Sequence, residues 1–308
     1  MIRSALLVAV ALASHSSAVV AQPKPPACDA TCLTDLANRY MDAMLKHDPK
    51  GLPWADRVGY AENGVKVRIG ESSWATVDAK GAAPLIVADA QAGRVVWSGT
   101  INDHGQPAYY AMEMKVEGGK IASVEAIIRR KEGRQPFADP LAFKADPAFA
   151  ATVPTVARSA PQVMTGLARA YLAAQSNRKD AVAPGFGTGC ALVENGVAMT
   201  GNLPAATGAS ADCATAFKRG LFKEIEAIRY SIAAVDPARG IVAAIGYRDL
   251  PAAEVTFKAT DGKDYAAEAK YPRSVGFVTL FKIEGGKIAR VQTVANEVPY
   301  LMPQPFGR

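Results

Sequence analysis

One short phrase occurs twice in this chain and constrains its fold more than any other feature. Residues Val116–Ala122 read VEGGKIA, and residues Ile283–Ala289 read IEGGKIA. In both places the paired glycines separate two β-rich runs. Such a pair is typical of a tight hairpin turn, because glycine alone enters the positive-φ turn positions freely. Chance rarely repeats seven residues, so the sequence indicates one domain that has been duplicated.

Three further pairs of matching segments follow the same order in both halves: Leu36–Met41 with Leu167–Leu172, Glu62–Val65 with Glu194–Val197, and Gly93 with Gly240. The offset between matching residues grows from 131 at the first pair to 167 at the glycine hairpins. The second copy has therefore gained residues on both sides of its middle turn. We predict a helix in the first gained segment (211–225) and a long hairpin in the second (251–272).

Each copy is predicted to begin with an amphipathic helix, because apolar residues recur there at helical spacing. An antiparallel meander is predicted to follow in each copy, with strands at Leu85–Asp89, Arg94–Asn102, Ala108–Val116 and Lys120–Arg129 in the first, and at Ile228–Val235, Ile241–Asp249, Val275–Ile283 and Lys287–Asn296 in the second. The predicted fold class is α+β: two tandem cone-shaped domains (cystatin-like α+β barrels), each with helices packed on a curved antiparallel sheet.

The N-terminal residues 1–21 are predicted to be a signal peptide. Arg3 is followed by a short apolar run and by small residues before Gln22, which is the pattern of a cleaved leader. A buried N-terminal helix is the alternative. We expect a proline-rich tether at 22–27, a first domain at 28–134, a linker that packs at 135–161, and a second domain at 162–308. The protein is accordingly expected to be exported, to the periplasm or the medium.

Composition argues against two classes of partner. After the leader, no apolar run approaches the ~20 residues of a membrane span. The formal net charge is +6, but the basic residues are scattered apart from the cluster at 129–131, and no nucleic-acid recognition motif accompanies them. We expect a small apolar or aromatic molecule as partner, neither nucleic acid nor membrane, and a homodimer is allowed.

The four cysteines suggest two disulfides in an exported protein. Of the three possible pairings we prefer Cys28–Cys32 with Cys190–Cys213. A metal site is not expected, because there is no Cys-x-x-Cys and few histidines follow the leader. No cofactor is expected either, because the phosphate-binding and dinucleotide-binding glycine motifs are missing from the sequence.

Several motifs together carry a resemblance to a known fold family. They are the helix exit from Tyr40 to Pro49, the Glu-Asn-Gly hairpins, the Gly70 to Trp74 segment, the Asp89 to Gly93 turn and the final Gly-Lys-Ile strand pairs. Over residues 28–130 and 162–300 the chain resembles the SnoaL-like branch of the nuclear transport factor 2-like fold.

A second series makes the chain similar to secreted two-domain bacterial and fungal proteins of unassigned activity: Cys190, Glu194–Val197, Cys213, Val235-Asp236, Arg239-Gly240 and Val298–Tyr300. The resemblance implies a pocket at the open end of each cone. It does not imply a reaction, because members of the wider fold include isomerases, dehydratases, epoxide hydrolases, cyclases, lyases and plain binding modules.

Aromatic residues are the candidates for a binding pocket. Strand alternation points Trp97 and Tyr110 inward. Together with Tyr40, Trp54 and Trp74 they would line the first cone, although they could equally fill its core. In the second copy the expected binding residues are Tyr171 and Phe277.

Alternation in the second copy predicts an inward series that runs along Ile241–Asp249 and ends in Tyr247 and Asp249. A partly buried carboxylate can act as a general acid or base near neutral pH. We therefore expect Asp249 to be the base and Tyr247 to donate a hydrogen bond to developing negative charge. The aligned residues of the first copy, Thr100 and Asn102, cannot do this, so chemistry is expected in the second copy. The alternative is an ordinary aspartate before a turn.

Three weaker catalytic candidates remain. Glu194 has a counterpart in Glu62, which favours a shared structural role. Arg229 could bind an anion or pair with an acid, or could simply be exposed. His47 ends the first helix, where a histidine meets the helix dipole favourably.

The leading hypothesis is a cofactor-free lyase, isomerase or dehydratase that uses acid–base chemistry on an apolar or aromatic substrate. The alternative is a non-catalytic module that binds a small ligand or another protein.

Overall fold

The computed structural model describes residues 28–133, 136–176, 184–200, 212–218, 222, 224–258 and 264–306. The predicted signal peptide (1–21) and tether (22–27) lie outside these residues. The fold class is α+β, as predicted, with two curled sheets that are each covered on one face by a helix.

The first half of the chain forms one sheet and two helices. The elements are α1 (Ala30–Leu45), β1 (Trp54–Glu62), β2 (Val65–Lys66), α2 (Ser73–Thr76), β3 (Val77–Lys80), β4 (Leu85–Asp89), β5 (Arg94–Asp103), β6 (Gln106–Glu117) and β7 (Lys120–Arg129). The strand order is β2-β1-β7-β6-β5-β3, and β4 also pairs with β5. Helix α1 begins where it does because the Asp29 side chain accepts a hydrogen bond from the backbone N–H of Cys32 at 2.8 Å, which caps the first turn.

The second half repeats this plan and carries the predicted additions. Two 3₁₀ turns (Pro147–Phe149 and Thr155–Ala157) precede its elements, which are α3 (Pro161–Ala174), β8 (Phe186–Glu194), β9 (Val197–Ala198), α4 (Cys213–Lys218), β10 (Ala227–Asp236), β11 (Ile241–Leu250), β12 (Ala253–Lys258), β13 (Asp264–Ala269), β14 (Arg273–Glu284) and β15 (Lys287–Val298). The sheet order is β10-β11-β14-β15-β8-β9. Strands β12 and β13 form a separate antiparallel hairpin, as predicted, and α4 lies in the segment predicted to be helical.

The meander strands of both sheets are antiparallel, as predicted, and each sheet adds one parallel pair. Strand β1 runs parallel to β7, and β8 runs parallel to β15. A parallel pair requires a long connection, and here the whole meander connects the two strands. The first strand of each copy thus lies beside the last and extends the sheet beyond the meander.

Matching backbone contacts show that the repeat is structural. The N–H of Val116 donates to the carbonyl of Gly93 at 2.7 Å, and the N–H of Ile283 donates to the carbonyl of Gly240 at the same distance. Both glycines have positive φ (61° and 65°), and a Cβ on either one would collide with a carbonyl oxygen of the facing turn. Glycine is therefore required at the same corner of both copies.

Both predicted disulfides are present. Cys28–Cys32 joins the residue before the Asp29 cap to the first turn of α1, and Cys190–Cys213 ties β8 to α4. Structural disulfides are typical of proteins that fold in oxidising compartments. Within the described ranges, none of the helices has the length and apolar content that crossing a bilayer requires.

The two sheets pack against each other through their outer faces. Inside each cone, one apolar cluster joins the helix to the inner face of its sheet. A third cluster joins the sheets and draws on both halves: Leu85, Val87, Val96, Tyr109, Ala111, Ile127, Phe149, Ala233, Ala234, Ile241, Ala243, Ile245, Val278, Leu280 and Val294. Phe137 and Phe143, from the segment between the two sheets, pack against this cluster.

This arrangement corrects one prediction. Ile241, Ala243 and Ile245 do not face the second cone but lie in the cluster between the sheets. The residues of β11 that do face the cone include Val242 and Ala244. Alternation gave the wrong face because every residue of β11 is buried, so polarity does not distinguish its two sides.

We predict that the cluster between the sheets contributes strongly to stability. Leu280→Ala removes a fully buried side chain from that cluster and should lower the free energy of unfolding by about 2–5 kcal/mol. Leu141→Ala is the matched control, because this leucine is 81% exposed, and it should change stability by less than about 0.5 kcal/mol. Chemical denaturation of the two variants provides the comparison. Equal effects would show that the sheets are not packed as described.

Candidate functional site

The predicted aromatic residues of the first copy meet inside the first cone. Tyr40 contacts Trp74 and Trp54 edge-on, with ring centroids 5.2 and 6.3 Å apart, and Trp97 contacts Tyr110 at 5.8 Å. All of these side chains are fully buried except Trp54, which is partly buried and donates from Nε1 to the carbonyl of Pro49 at 2.9 Å. The inward orientation predicted for Trp97 and Tyr110 is confirmed.

A buried carboxylate lies beside these rings. Glu62 is 6% exposed, and its two oxygens accept hydrogen bonds from the hydroxyls of Tyr60, Ser72 and Ser73 and from the backbone N–H of Ser73. Neutral donors alone stabilise the carboxylate, since Glu62 forms no ion pair with the residues that the structure describes. A buried acid with this contact set is available for proton transfer in a way that an acid in an ion pair is not.

Local structure explains how the donors converge on Glu62. Tyr60 and Glu62 are two residues apart on β1, so both side chains point to the same face of the sheet. Ser73 begins α2, where the first backbone N–H groups are free to bind an acceptor. Ser72 has φ 55° and ψ −124°, an unusual conformation for a residue other than glycine. Its hydroxyl reaches Glu62 Oε2 at 2.5 Å from this position.

Four donors in the same interior make no hydrogen bond of standard geometry among the described residues: Tyr40 Oη, Tyr110 Oη, Trp74 Nε1 and Trp97 Nε1. The Tyr40 hydroxyl nevertheless lies close to those of Tyr60 and Tyr110 and to the Trp74 indole. Burial raises the pKa of Tyr40 and Tyr110 well above the ordinary value of a phenol, and the negative charge of Glu62 adds to the rise for both. Both phenols therefore remain protonated donors through the physiological range. An unsatisfied buried donor costs about 1–3 kcal/mol, so four in one place mark the interior as a candidate binding site.

The second cone has a different polar centre. Glu194 occupies the position equivalent to Glu62, and its Oε2 accepts a hydrogen bond from Arg248 Nη1 at 2.7 Å. Arg248 Nε lies 3.2 Å from Gln175 Oε1, and its guanidinium lies 4.9 Å from the ring centroid of Phe222 and 5.1 Å from that of Phe277. The carboxylate that is free of a cation in the first cone is thus paired with an arginine in the second.

The structure places both predicted binding residues of the second copy inside the second cone. Tyr171 contacts the rings of Phe186, Phe217 and Phe281, and Phe277 contacts Arg248. Burial raises the pKa of Tyr171, and its hydroxyl has no partner within the described ranges.

The predicted catalytic pair of the second copy lies elsewhere. Tyr247 donates to Glu125 Oε1 of the first domain at 2.9 Å. Asp249 binds Arg229 through two contacts of 2.8 Å and accepts from Ser274 Oγ at 2.5 Å. The prediction that Tyr247 and Asp249 face the second cone is therefore wrong.

These contacts describe a clamp. Asp249 is 1% exposed and joins β10, β11 and β14, while the Ser274 hydroxyl accepts from the backbone N–H of Leu301 at 2.9 Å. The Arg229 side chain is only 32% exposed. Its hydrogen bonds to Asp249 raise the pKa of the guanidinium. Because Asp249 is held in a two-contact ion pair with Arg229, the geometry gives no support to Asp249 as a base, and its catalytic role stays a prediction.

His47 does not join any of these centres. It has φ 54° just after α1, and its Nδ1 lies 2.6 Å from the carbonyl oxygen of Trp74. This contact ties the end of the helix to α2, so His47 has a structural role in the position that the sequence predicted. Among the described residues, no group of three or more His, Cys, Asp or Glu side chains is arranged to hold a metal ion.

A concavity lined by described residues lies outside both cones. It has a volume of about 480 Å³ and is bounded by the β3–β4 loop, β5 and the linker around Leu141 and Phe143. Its wall contains two lysines but no carboxylate. The groove therefore offers no carboxylate for acid–base chemistry.

Sequence reasoning missed Tyr60 and Arg248 and set Glu62 aside as structural. A period-2 reading of β1 would have paired Tyr60 with Glu62, since two polar side chains then share one face. Arg248 carried a clearer signal, because it is a lone charge in the register of Val242 and Ala244. A correct assignment of the two faces of β11 would have placed Arg248 inside the second cone.

We predict that Asp249→Asn destabilises the protein, because the substitution removes the charge that holds Arg229. The free energy of unfolding should fall by about 1–2 kcal/mol, a value for charged hydrogen bonds reduced because Arg229 is one-third exposed. Asp56→Asn is the control: its side chain is 96% exposed and lies 3.4 Å from Lys120, so we expect no measurable change. Thermal denaturation that gave the same Tm for Asp249→Asn and wild type would contradict the clamp.

Comparisons with known proteins identify a family and leave the activity open. Residues 28–128 and 157–295 match the model of a family described as a domain of unknown function (DUF8021). No curated protein matches the chain. One similar crystal structure is that of a protein from Sphaerobacter thermophilus. The two sequences are 22% identical, the match covers 32% of this chain and 96% of the Sphaerobacter chain, and the TM-score is 0.27.

An NTF2-like protein of unknown function from Cytophaga hutchinsonii is 12% identical, covers 45% of this chain and all of its own length (100%), and has a TM-score of 0.25. Because the family match spans well over half of the sequence, in two stretches that correspond to the two sheets, the chain belongs to the DUF8021 family.

Proposed function

We propose that the first cone is the active site of a cofactor-free lyase, isomerase or dehydratase that acts on a small apolar or aromatic molecule. One observation carries this proposal. A buried carboxylate without a cation, Glu62, lies in the same aromatic interior as four buried donors that lack partners. The chemistry that the sequence suggested for Asp249 is thereby moved to the other copy.

The chemistry of the walls defines the substrate class. The interior is lined by tryptophan, tyrosine and methionine side chains, so the substrate is expected to be largely apolar. The indole N–H groups can only donate, and the protonated phenols of Tyr40 and Tyr110 each supply a further O–H donor. A carbonyl oxygen is the acceptor that such a set of neutral donors would bind, so we propose a small aromatic or alicyclic carbonyl compound.

The proposed reaction starts with proton transfer at the carbon beside that carbonyl. The proton moves to the Tyr60 oxygen while the Tyr60 proton moves to Glu62 Oε1, with which it is hydrogen-bonded. The electron pair of the broken C–H bond shifts to the carbonyl oxygen, where Tyr40 and Tyr110 donate hydrogen bonds. Reversing both transfers at another carbon isomerises the substrate, and loss of a β-substituent gives an elimination.

Typical magnitudes suit these roles. A positioned acid or base contributes roughly 10²–10⁴-fold to a rate, and one donor to a developing oxyanion contributes roughly 10²–10³-fold. Burial strengthens both effects, because the interior excludes the water that would otherwise screen them.

A second candidate function is binding without catalysis. The observation that favours it is the groove of about 480 Å³ beside the linker, which is lined mainly by alanine, glycine, proline and other apolar residues. Its volume lies within the usual range for ligand sites, roughly 300–1,000 Å³. In that case the cones would be scaffolds and the duplication would serve to build the groove.

The test of catalysis uses exchange of the α-protons of 2-indanone in D₂O, followed by ¹H NMR. We expect wild-type protein to accelerate exchange, Glu62→Gln to abolish the acceleration, and Tyr110→Phe to reduce it by roughly 10- to 100-fold. Tyr110→Phe should fold normally, because its hydroxyl has no partner to lose within the described residues. Tyr300→Phe, which removes an exposed hydroxyl on the second domain, is the matched control and should exchange as fast as wild type.

Equal exchange rates in wild type and Tyr110→Phe, with unchanged melting temperatures, would refute the assignment of the first cone. If 2-indanone binds in the groove and none of the variants alters exchange, the binding module is the better description. The exchange rate of Glu62→Gln is interpreted together with the melting temperature of this variant, because the substitution also alters the contacts of Ser72 and Ser73.

We also infer that the two domains are SnoaL-like and that the protein is exported. The sequence motifs of both copies support the first inference, and the two disulfides together with the leader-like residues 1–21 support the second. The exported protein should begin at Gln22, which intact-mass spectrometry of periplasmic or secreted material can check. A mass that retains residues 1–21 would contradict cleavage.

A further inference from the structure

A second, smaller cavity lies where the linker crosses both domains. Its volume is about 290 Å³, and its wall has three sources. The first domain contributes Tyr109 from β6, and the second contributes Val193, Gly196 and Gln292. The linker segment from Ala138 to Asp146 covers it. Neither domain alone contains this cavity, so it depends on the duplication and the linker together.

Tyr109 presents an unpartnered hydroxyl at this cavity. The side chain is 1% exposed, and its oxygen has no hydrogen-bond partner among the described residues. Burial, with a contribution from the negative charge of Asp139, raises the pKa of Tyr109 to about 12. The phenol is therefore a protonated donor that is held, with its ring edge-on to Phe137 and Phe143 at centroid distances of 5.7 and 5.4 Å, at the cavity wall.

The backbone is shaped to bring the second domain close to that hydroxyl. Gly196 has φ 74°, and a Cβ at this position would overlap the Tyr109 oxygen. The adjoining Asn195 carbonyl accepts from the N–H of Ala138 at 3.0 Å, which holds the linker over the cavity. Only glycine lets the turn approach Tyr109 and the linker this closely.

The remaining charged groups in the wall are two carboxylates and one lysine. Lys144 and Asp139 lie at the exposed rim, and Asp146 is paired with Arg290 at 3.1 Å. Gln292 is 6% exposed, and its side-chain amide, which can donate and accept, makes no hydrogen bond within the described ranges. Donors and acceptors therefore alternate around a wall whose other surface is apolar (Val193, Ala138, Ala142 and Phe143).

We propose that this cavity binds a neutral polyhydroxylated molecule of the size of one sugar ring. Hydroxyl groups both donate and accept, so one ligand can serve the Tyr109 hydroxyl, the Gln292 amide and the Asp139 carboxylate. The volume of about 290 Å³ accommodates a single ring and lies at the small end of ligand sites. An anionic ligand fits less well, because the carboxylates of Asp139 and Asp146 both line the wall.

The experiment is saturation-transfer NMR on the disulfide-intact protein with D-glucose, D-galactose and D-mannose, each titrated to obtain a Kd. D-gluconate, which has similar hydroxyls and a negative charge, tests the charge argument. At least one sugar should bind, and gluconate should bind more weakly than that sugar. Tyr109→Phe should raise the Kd roughly five- to tenfold, the equivalent of one hydrogen bond. Asp139→Asn should reduce the difference between the Kd for gluconate and the Kd for the sugar.

Tyr110→Phe is the matched control, since it removes the hydroxyl of the next residue, which points into the first cone. It should leave sugar binding unchanged, so a failure of the first-cone proposal does not affect this one. The proposal would be overturned if none of the three sugars showed saturation transfer from the protein. It would also be overturned if Tyr109→Phe left both the Kd for the sugar and the melting temperature unchanged. Gluconate that binds as tightly as the sugars would contradict the preference for a neutral ligand.

Discussion

The contact between the outer faces of the two sheets determines most of this structure. Each sheet is apolar on both sides, so covering the inner face with a helix leaves a second apolar face exposed to water. Burial of apolar surface contributes about 25 cal/mol per Å², and the third cluster, with Leu280 fully buried at its centre, provides that burial within one chain. The duplication therefore solves a problem that each domain would otherwise have to solve by self-association.

The same contact explains where sequence reasoning succeeded and where it failed. The strands β4, β7 and β11 were predicted to within a residue of their observed bounds, because turn glycines and β-rich runs are local signals. Trp97 and Tyr110 were assigned to the correct face. The faces of β11 were assigned wrongly. Alternation of polar and apolar residues identifies the two faces of a strand only when one face is exposed to water, and every residue of β11 is buried. Information about the second apolar face lies in the other half of the chain, out of reach of a local pattern.

The polar centres were harder to predict than the fold. Glu62 looked structural because it recurs as Glu194, and recurrence alone cannot separate a shared scaffold from a shared site. Glu62 takes its donors from β1 and from the start of α2, whereas Glu194 takes its arginine from β11, 54 residues away in sequence. The disulfides were predictable because four cysteines leave few pairings. The cavity at Tyr109 was not, because the linker that covers it has no counterpart in the repeat.

The divergence of the two copies gives the strongest argument for placing chemistry in the first. Arg248 aligns with Ile101 at the offset of the middle turn, so the second copy holds a guanidinium where the first holds an aliphatic side chain. The arginine neutralises Glu194 and leaves the second cone with a bound ion pair. The first cone keeps its carboxylate among neutral hydroxyls, beside donors that await an acceptor. The two equivalent acids thus occupy different environments, and Glu62, unlike Glu194, has no ion pair among the described residues.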